Sequence, residues 1–592
     1  MDLSPLFFVA VGGLLGAFVA GSILYFVFES RNQTLSKGML ALSAKNADKL
    51  LEKGLYDDAL SIYRNVLQEL RRENDPGLYG RVLNNMGMCL YHLASKGEKK
   101  ENLEKAVSAF EQALKVLRPD THPEDYASLK NNLGNAFSAL AEITDREENL
   151  RKAMACYEDA LKIRTVEKHP VDHAMTQNNL GNLHSTLART SEGEEEIRKA
   201  IAAYEEALRI FDEVGDRENY AAAQNNLAVA YRVLSEKTDR EENLRRAIAA
   251  CEKALEVRTP DEYPAEYAAT QNNLANAYRA LAETTDREEN LRRALAACNE
   301  ALRVKTAEAS PDDYAAMEQN LGSILTAISG ADNLKRAIES FKQALKVRTA
   351  DKYPLDYASI HNDLGNALSA LAALGESPEE NLKAAVEAYK KALTIRTADE
   401  HPADFAATIQ NLGNAYLELS AIEDTEENLI EAVAALEEAV KIRTAEKNPE
   451  GYAITKSKLG DAYRKLAEAS ALDEYREKAV AAYEESVAHL SPESGPALFA
   501  ATHNSLGLAY GSLSAVRDRE ENLSKAISAF ERALTVRTGE KMPLEYAETR
   551  RNMGAAYKEL SGSQDREENL LKALESYEEA LKYSLTLKAL KG

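Results

Sequence analysis

One short pattern returns along this chain at a nearly constant spacing. NNLGNAF at 131–137 recurs as NNLGNLH at 178–184, NNLAVAY at 225–231 and NNLANAY at 272–278, then as QNLGNAY at 410–416 and HNSLGLAY at 503–510. Its register residue falls at Gly87, Gly134, Gly181, Ala228, Ala275, Gly322, Gly365, Gly413, Gly460, Gly507 and Gly554, and eight of the ten intervals are 47 residues. A fixed period of this size predicts a solenoid of stacked units, each covering apolar surface its neighbour leaves bare. A chain of 592 residues is also too long for one ordinary core.

Each repeat reads as two helices. In one of them, helix A is expected over about 124–143, with Leu129, Leu133, Phe137 and Leu140 recurring every three or four residues. Helix B is expected over about 146–165, with Leu150, Ala153, Tyr157, Ala160 and Leu161 on one stripe. Abundant Ala, Leu, Glu, Lys and Arg and the absence of Trp fit a long helical array. The connector TDREEN predicts a capping box, Asp145 accepting first-turn amides and Glu148 following three residues on. Asp239/Glu242, Asp286/Glu289, Asp518/Glu521 and Asp565/Glu568 repeat it. Pro123, Pro170, Pro264, Pro354, Pro402, Pro449 and Pro543 open successive A helices, since proline suits a first turn and disfavours helix before it. Arg164, Arg258, Arg348, Arg396, Arg443 and Arg537 end B helices, where a cation complements the helix dipole. The short interval from Gly322 to Gly365 loses its DREE signal, so a weaker turn is expected near Ser329–Asn333.

L-G-x-x-Y followed by A-x-x-x-Y and a further Ala resembles the tetratricopeptide repeat family, and Leu133, Gly134, Phe137, Ala153, Tyr157 and Ala160 fit it. The usual unit of that family has 34 residues; here seven are added between A and B and six between B and the next A. The first repeat keeps the short form through Ala47, Ala59 and Tyr63, and the consensus Trp is missing throughout. The long form is similar to the repeats of kinesin light chain and of bacterial scaffold proteins. The resemblance implies an all-α, right-handed superhelix of about twelve helix-turn-helix repeats over 36–585, with a short tail at 586–592. It also implies a concave groove lined by the A helices.

The residues singled out for binding are asparagines: Asn132 and Asn135, Asn179 and Asn182, Asn226, Asn273 and Asn276, Asn320, Asn366, and Asn411 and Asn414. Asparagine is a mediocre helix former, so placing it inside helices needs a reason. Its amide both donates and accepts. In the resembled repeats such asparagines hold an extended peptide by its main chain; the other reading is that they brace neighbouring helices. Late repeats replace the pattern with Lys458 and Arg551, accompanied by Lys456, Arg464, Arg550 and Lys558. These invite an acidic client segment, or else pair with neighbours such as Asp461 and Glu559.

Residues 6–28 carry no charge and are long enough to span a bilayer, after a short tail at 1–5 and before a linker at 29–35. A cleaved signal peptide is the rival; no basic residue precedes the run, and the run exceeds an ordinary signal core. Arg31, Lys37, Lys45 and Lys49 follow it, so the positive-inside rule places the repeats in the cytoplasm. Gly12, Gly16 and Ala20 form a small-residue stripe suited to pairing two such helices in a homodimer.

No catalytic motif is present. The nine histidines form no H-E-x-x-H, and phosphate-binding and nucleophile-elbow glycine patterns are missing, so neither an enzyme nor a metal or cofactor site is expected. A formal net charge of −23 argues against nucleic acid. Cys89, Cys156, Cys251 and Cys298 form no C-x-x-C pair and read as small core residues. The expected function is a membrane-anchored scaffold binding protein or peptide clients. The alternatives are an architectural, self-assembling solenoid or a non-catalytic subunit of a membrane enzyme complex.

Overall fold

The computed structural model describes residues 37–591 except 74, 189–192 and 494, and the side chains of that range up to 584. The expected anchor at 6–28, its flanks at 1–5 and 29–35, and the Gly12, Gly16 and Ala20 stripe lie outside the described residues. No described helix is long and apolar enough to cross a membrane.

Every regular element among the described residues is a helix. The chain divides into two compact units between Arg287 and Glu288. The N-terminal unit holds α1 (37–52), α2 (Tyr56–Glu69), α3 (Pro76–Leu93), α4 (Lys99–Leu114), α5 (Pro123–Leu140), α6 (Arg146–Leu161), α7 (Pro170–Leu187), α8 (Gly193–Val214), α9 (Arg217–Leu234), α10 (Arg240–Leu255) and α11 (Pro264–Leu281). The C-terminal unit holds α12 (Arg287–Val304), α13 (Pro311–Ile328), α14 (Ala331–Leu345), α15 (Pro354–Ala373), α16 (Pro378–Leu393), α17 (Pro402–Leu419), α18 (Thr425–Ile442) and α19 (Pro449–Ser470). It continues through α20 (Asp473–Val487), α21 (Pro496–Ser514), α22 (Arg519–Leu534), α23 (Pro543–Leu560) and α24 (Arg566–Lys591). The helices alternate as A (odd) and B (even). Helix α24 runs on to Lys591, past the tail boundary expected at 585.

From α2 to α11 and from α13 to α24 consecutive helices pack along their lengths, and odd helices from α3 to α11 and from α13 to α23 also touch the next odd one, as α7 does α9 and α15 does α17. Even helices do not touch each other among the described residues. One face of each unit is therefore built from A helices alone.

The register glycine explains how A and B come so close. A methyl on Gly134 would lie 2.7 Å from the Tyr157 ring, and one on Gly181, Gly365 or Gly460 would meet Tyr204, Tyr389 or Tyr483 equally tightly. The chain accepts roughly 1 kcal/mol of helix propensity at each glycine to seat a whole buried ring. At Ala228 the glycine is gone, and the residue 23 positions on is the small Cys251. Both are fully buried, so volume is conserved across the contact.

One expected interaction needs correction. Asp145, Asp239, Asp424 and Asp518 adopt left-handed backbone (φ 42–45°), and none caps its helix through its side chain. The left-handed turn redirects the carboxylate, and short polar residues tolerate this conformation better than most. The connector is closed instead by the Asn of DREEN: Asn149 Nδ2 donates to Thr144 O at 2.8 Å, and Asn243, Asn428, Asn522 and Asn569 do the same to the carbonyl five residues back. The short turn Ser329–Gly330 keeps such a clamp, Asn333 Nδ2 to Ser329 O at 2.9 Å, despite losing DREE.

The arginines ending B helices do more than face a dipole. Arg164 is buried and donates to Thr176 Oγ1 of the next A helix at 3.0 Å, while Arg258, Arg396 and Arg537 reach Thr270, Thr408 and Thr549. Helix α8 breaks this scheme: it runs two turns further, and only Gly215 and Asp216 separate it from α9.

Candidate functional site

Asparagine occurs on the A-helix face because the register glycine fixes which side of each A helix meets its own B helix. The pair before the Leu-Gly step then lies between successive A helices. In the N-terminal unit this produces a ladder. Asn132 Nδ2 donates to Asn84 Oδ1 at 3.1 Å, Asn179 to Asn131 at 3.1 Å, Asn226 to Asn178 at 3.2 Å and Asn273 to Asn225 at 3.0 Å. Each rung joins residues 48 apart. An amide carries two N–H donors and two acceptor lone pairs, so every rung leaves capacity unused.

A second set of contacts fixes the residue just after the glycine. Tyr157 OH donates to Asn135 Oδ1 at 2.6 Å and Tyr204 OH to Asn182 Oδ1 at 2.7 Å. In the C-terminal unit Tyr389 does the same to Asn366 at 2.8 Å and Tyr483 to Asp461 at 2.7 Å. Burial raises these phenol pKa values, Tyr204 to about 12, so each hydroxyl stays a donor at neutral pH.

The C-terminal unit continues the ladder less regularly. Asn411 Nδ2 is shared between Asn362 Oδ1 at 3.4 Å and Asn366 Oδ1 at 3.1 Å, and Asn552 reaches Asn504 at 3.3 Å. Between them Ser457 and Thr502 exchange a hydroxyl bond at 3.1 Å. Asn320 is half-buried and engaged as well. Asn276 lines a cleft of about 310 Å³ with Arg232, Arg240, Arg279, Glu236 and Glu283. Asn414 is half-buried, and its Oδ1 is enclosed without a hydrogen-bond partner.

The late basic residues are mostly engaged. Lys456 pairs with Glu485 at 2.7 Å, Arg464 with Glu468 at 2.7 Å, and Lys458 stands 3.8 Å from Asp461. Arg550 donates to Tyr546 OH at 3.0 Å. Glu559 pairs with Arg519 rather than with the basic residues of its own helix. Arg551 is exposed and makes no ion pair among the described residues.

The first asparagine of each pair (Asn84, Asn131, Asn178, Asn225) and the B-helix tyrosines were not singled out from sequence, although they complete these contacts. The recurring 22-residue spacing of Tyr157 from Asn135 and Tyr204 from Asn182 is the signal that would have found the tyrosines.

The four cysteines are buried thiols, and burial pushes Cys156 up to about 11 and Cys251 and Cys298 up to about 12, which keeps them protonated. The described residues hold no cluster of three or more His, Cys, Asp or Glu side chains placed to bind a metal ion. The arrangement on the A-helix face is chemically a row of amides able to donate to carbonyls and, where an oxygen is free, to accept from N–H groups.

The tetratricopeptide repeat family model matches residues 127–171 and 221–261. Among solved structures, a chain of the APC/C hetero-tetramer Cut9-Hcn1 is similar over 91% of this chain and 92% of its own, at 14% identity and a TM-score of 0.36. BtubC (BKLC) from P. vanneervenii is similar over 45% of this chain and 92% of its own, at 22% identity and 0.29. A monomeric mutant of IFIT1 with Gppp-AAAA is similar over 84% of this chain and 90% of its own, at 16% identity and 0.38. Scores this low carry no functional argument. No curated protein matches the chain in sequence.

Proposed function

Because this chain carries tetratricopeptide repeats, we propose that it is a membrane-anchored scaffold that holds extended segments of client proteins along the asparagine face of its A helices. It catalyses no reaction. The observation that carries this reading is the regular supply of amide groups at one register on successive helices, each rung keeping hydrogen-bonding capacity in reserve. An extended peptide presents carbonyls and N–H groups to match. Residues 6–28 anchor the chain, the repeats face the cytoplasm, and the stripe of Gly12, Gly16 and Ala20 lets two anchors pair. Toward the end of the array, exposed Arg551 and loosely engaged Lys458 favour an acidic stretch of client.

The test uses the full-length chain in detergent and an array of acidic decapeptides, half of each made of Asp and Glu. Changing Lys458 and Arg551 to Glu should weaken binding and flatten its salt dependence. Unchanged affinity at low salt, with helix content intact by circular dichroism, would remove the basic subsite.

An architectural reading has one observation in its favour. Helix α24 exposes Leu570, Leu571, Leu574 and Leu581, whereas the equivalent Leu523 and Ile527 of α22 are buried. An open apolar helix face of this kind suits self-assembly.

A further inference from the structure

Resting on the self-assembly reading of α24, we infer that this helix lies antiparallel against the α24 of a second copy of the chain, about a two-fold axis near Glu575 and Ser576.

Nineteen large apolar side chains are exposed among the described residues, and five of them, Leu570, Leu571, Leu574, Tyr577 and Leu581, share this one helix. Elsewhere such residues stand apart, as Ile143, Leu374, Ile422 and Val516 do in connectors. Residues three and four apart meet on a helix surface, so the five form one stripe. A contiguous apolar patch of this kind marks an interaction site.

Two kinds of exposure are combined in it. The position of Leu574 is buried or half-buried in every other B helix, from Leu60 to Ile527. It is open here because no A helix follows α24 among the described residues. Leu571 is different. Its position faces solvent in every B helix, and in ten of the eleven others the residue is charged or serine, as at Arg151, Arg245, Arg292, Lys383 and Ser524. Ile430 is the exception, and it stands beside buried Leu429 and half-buried Val433 rather than in a stripe. One more repeat would cover Leu574 and leave Leu571 bare. The stripe therefore fits a cover that lies across the whole outer face of the helix.

The chain that follows does not fold back to supply this cover. Helix α24 continues to Lys591, and Tyr583 packs edge-on against Tyr546 at 5.0 Å, on the side away from the stripe. A second α24 does fit. Leu570, Leu574, Tyr577 and Leu581 are spaced four, three and four apart, the rhythm of a two-helix seam. Residues 566–581 carry five carboxylates against Arg566 and Lys572, whereas 582–591 carry Lys582, Lys588 and Lys591 and no acid. Antiparallel pairing sets each acidic half on the partner's basic half and opposes the helix dipoles; parallel pairing sets like on like. Lys582 stands 3.7 Å from Glu579 of its own helix, an exposed and weak pair that leaves it able to turn outward. In this arrangement Leu570 meets Leu581 of the second copy, and Leu574 meets Tyr577. A self-complementary patch of this kind closes as a two-fold dimer.

The test uses the full-length chain in detergent, carrying Gly16→Ile so that paired anchors do not account for a dimer. Its mass should be that of two chains, and adding Leu571→Arg should halve it. Helix content should be unchanged, because arginine already stands there in other B helices. Geometry is read by oxidation, with the four native cysteines buried. Mixed Leu570→Cys and Leu581→Cys chains should cross-link to each other. Leu570→Cys alone should not, since antiparallel pairing holds its two copies roughly 16 Å apart along the axis. A growing ladder of larger species, or Leu570→Cys cross-linking to itself, overturns the antiparallel pair and leaves self-assembly standing. A dimer indifferent to Leu571→Arg overturns the use of this face. A monomer before that substitution sinks the self-assembly reading, and the inference with it.

Discussion

The two compact units build the same ladder from different rhythms. In the N-terminal unit the register residues from Gly87 to Ala275 are all 47 apart, and each asparagine meets one acceptor 48 residues earlier. In the C-terminal unit the intervals begin at 43 and 48, and Asn411 is split between acceptors 49 and 45 residues away. One extra residue in a connector shifts the next helix enough to place an amide between two partners. Further on, Ser457 stands at an asparagine position and exchanges a hydroxyl bond with Thr502. Regular spacing produces uniform rungs, and the enclosed Oδ1 of Asn414 lies in the unit whose spacing varies.

The strongest way to break this comparison is at the register glycine, where both units depend on close approach. Gly134→Ala should destabilise the N-terminal unit by about 1–3 kcal/mol, because the new methyl meets the buried and hydrogen-bonded Tyr157 ring. Adding Tyr157→Cys should recover part of that loss, reproducing the Ala228 and Cys251 pairing already present. Gly413→Ala, facing the more pliable Leu436, should cost less than Gly134→Ala. Urea unfolding of the three variants checks the order, and equal costs at both glycines would contradict the size-matching account.

A smaller effect separates the ladders. Asn179→Ala removes the partner of buried Asn131 Oδ1 and should cost about 1–2 kcal/mol. Asn411→Ala should cost less, since Asn366 keeps its bond from Tyr389. Hydrogen exchange in α5 and α15 reads the two locally.

A further difference is expected in acid. His361 and His503, both in the C-terminal unit, are enclosed, and three of their four ring nitrogens are unpartnered. Burial pushes each down from 6.5 to about 4, with Lys391 and Arg532 adding to the shift. The unfolded chain therefore binds protons first, so the stability these residues contribute is present above pH 6.5 and falls as pH drops toward 4. Hydrogen exchange between pH 6.5 and 4.5 should show the C-terminal unit loosening before the N-terminal one, and His503→Gln should reduce the difference. Parallel loosening of both units would show that carboxylates, not these histidines, control the acid limb.

Much of the fold is legible in the residues, because its controlling interactions are local or repeat at a fixed interval. The alternation of helices follows from apolar spacing, the start of most A helices from proline in the first turn, and the A–B contact from a glycine opposite an aromatic ring. The asparagine column is equally visible, since a poor helix former repeated inside helices marks itself. The left-handed conformation of Asp145 was not legible: D-x-x-E satisfies a capping box on paper, and only the closed connector shows Asn149 holding Thr144 instead. Nor could the sequence decide what the asparagines touch, because an amide can satisfy itself within the array or reach outward, and the choice depends on helix placement to within an ångström. The sequence alone determined that this protein is a stack of helix pairs with a polar stripe. Tertiary structure decided which amides that stripe consumes internally, because hydrogen bonds between residues 45–49 apart are set by how successive repeats seat on each other.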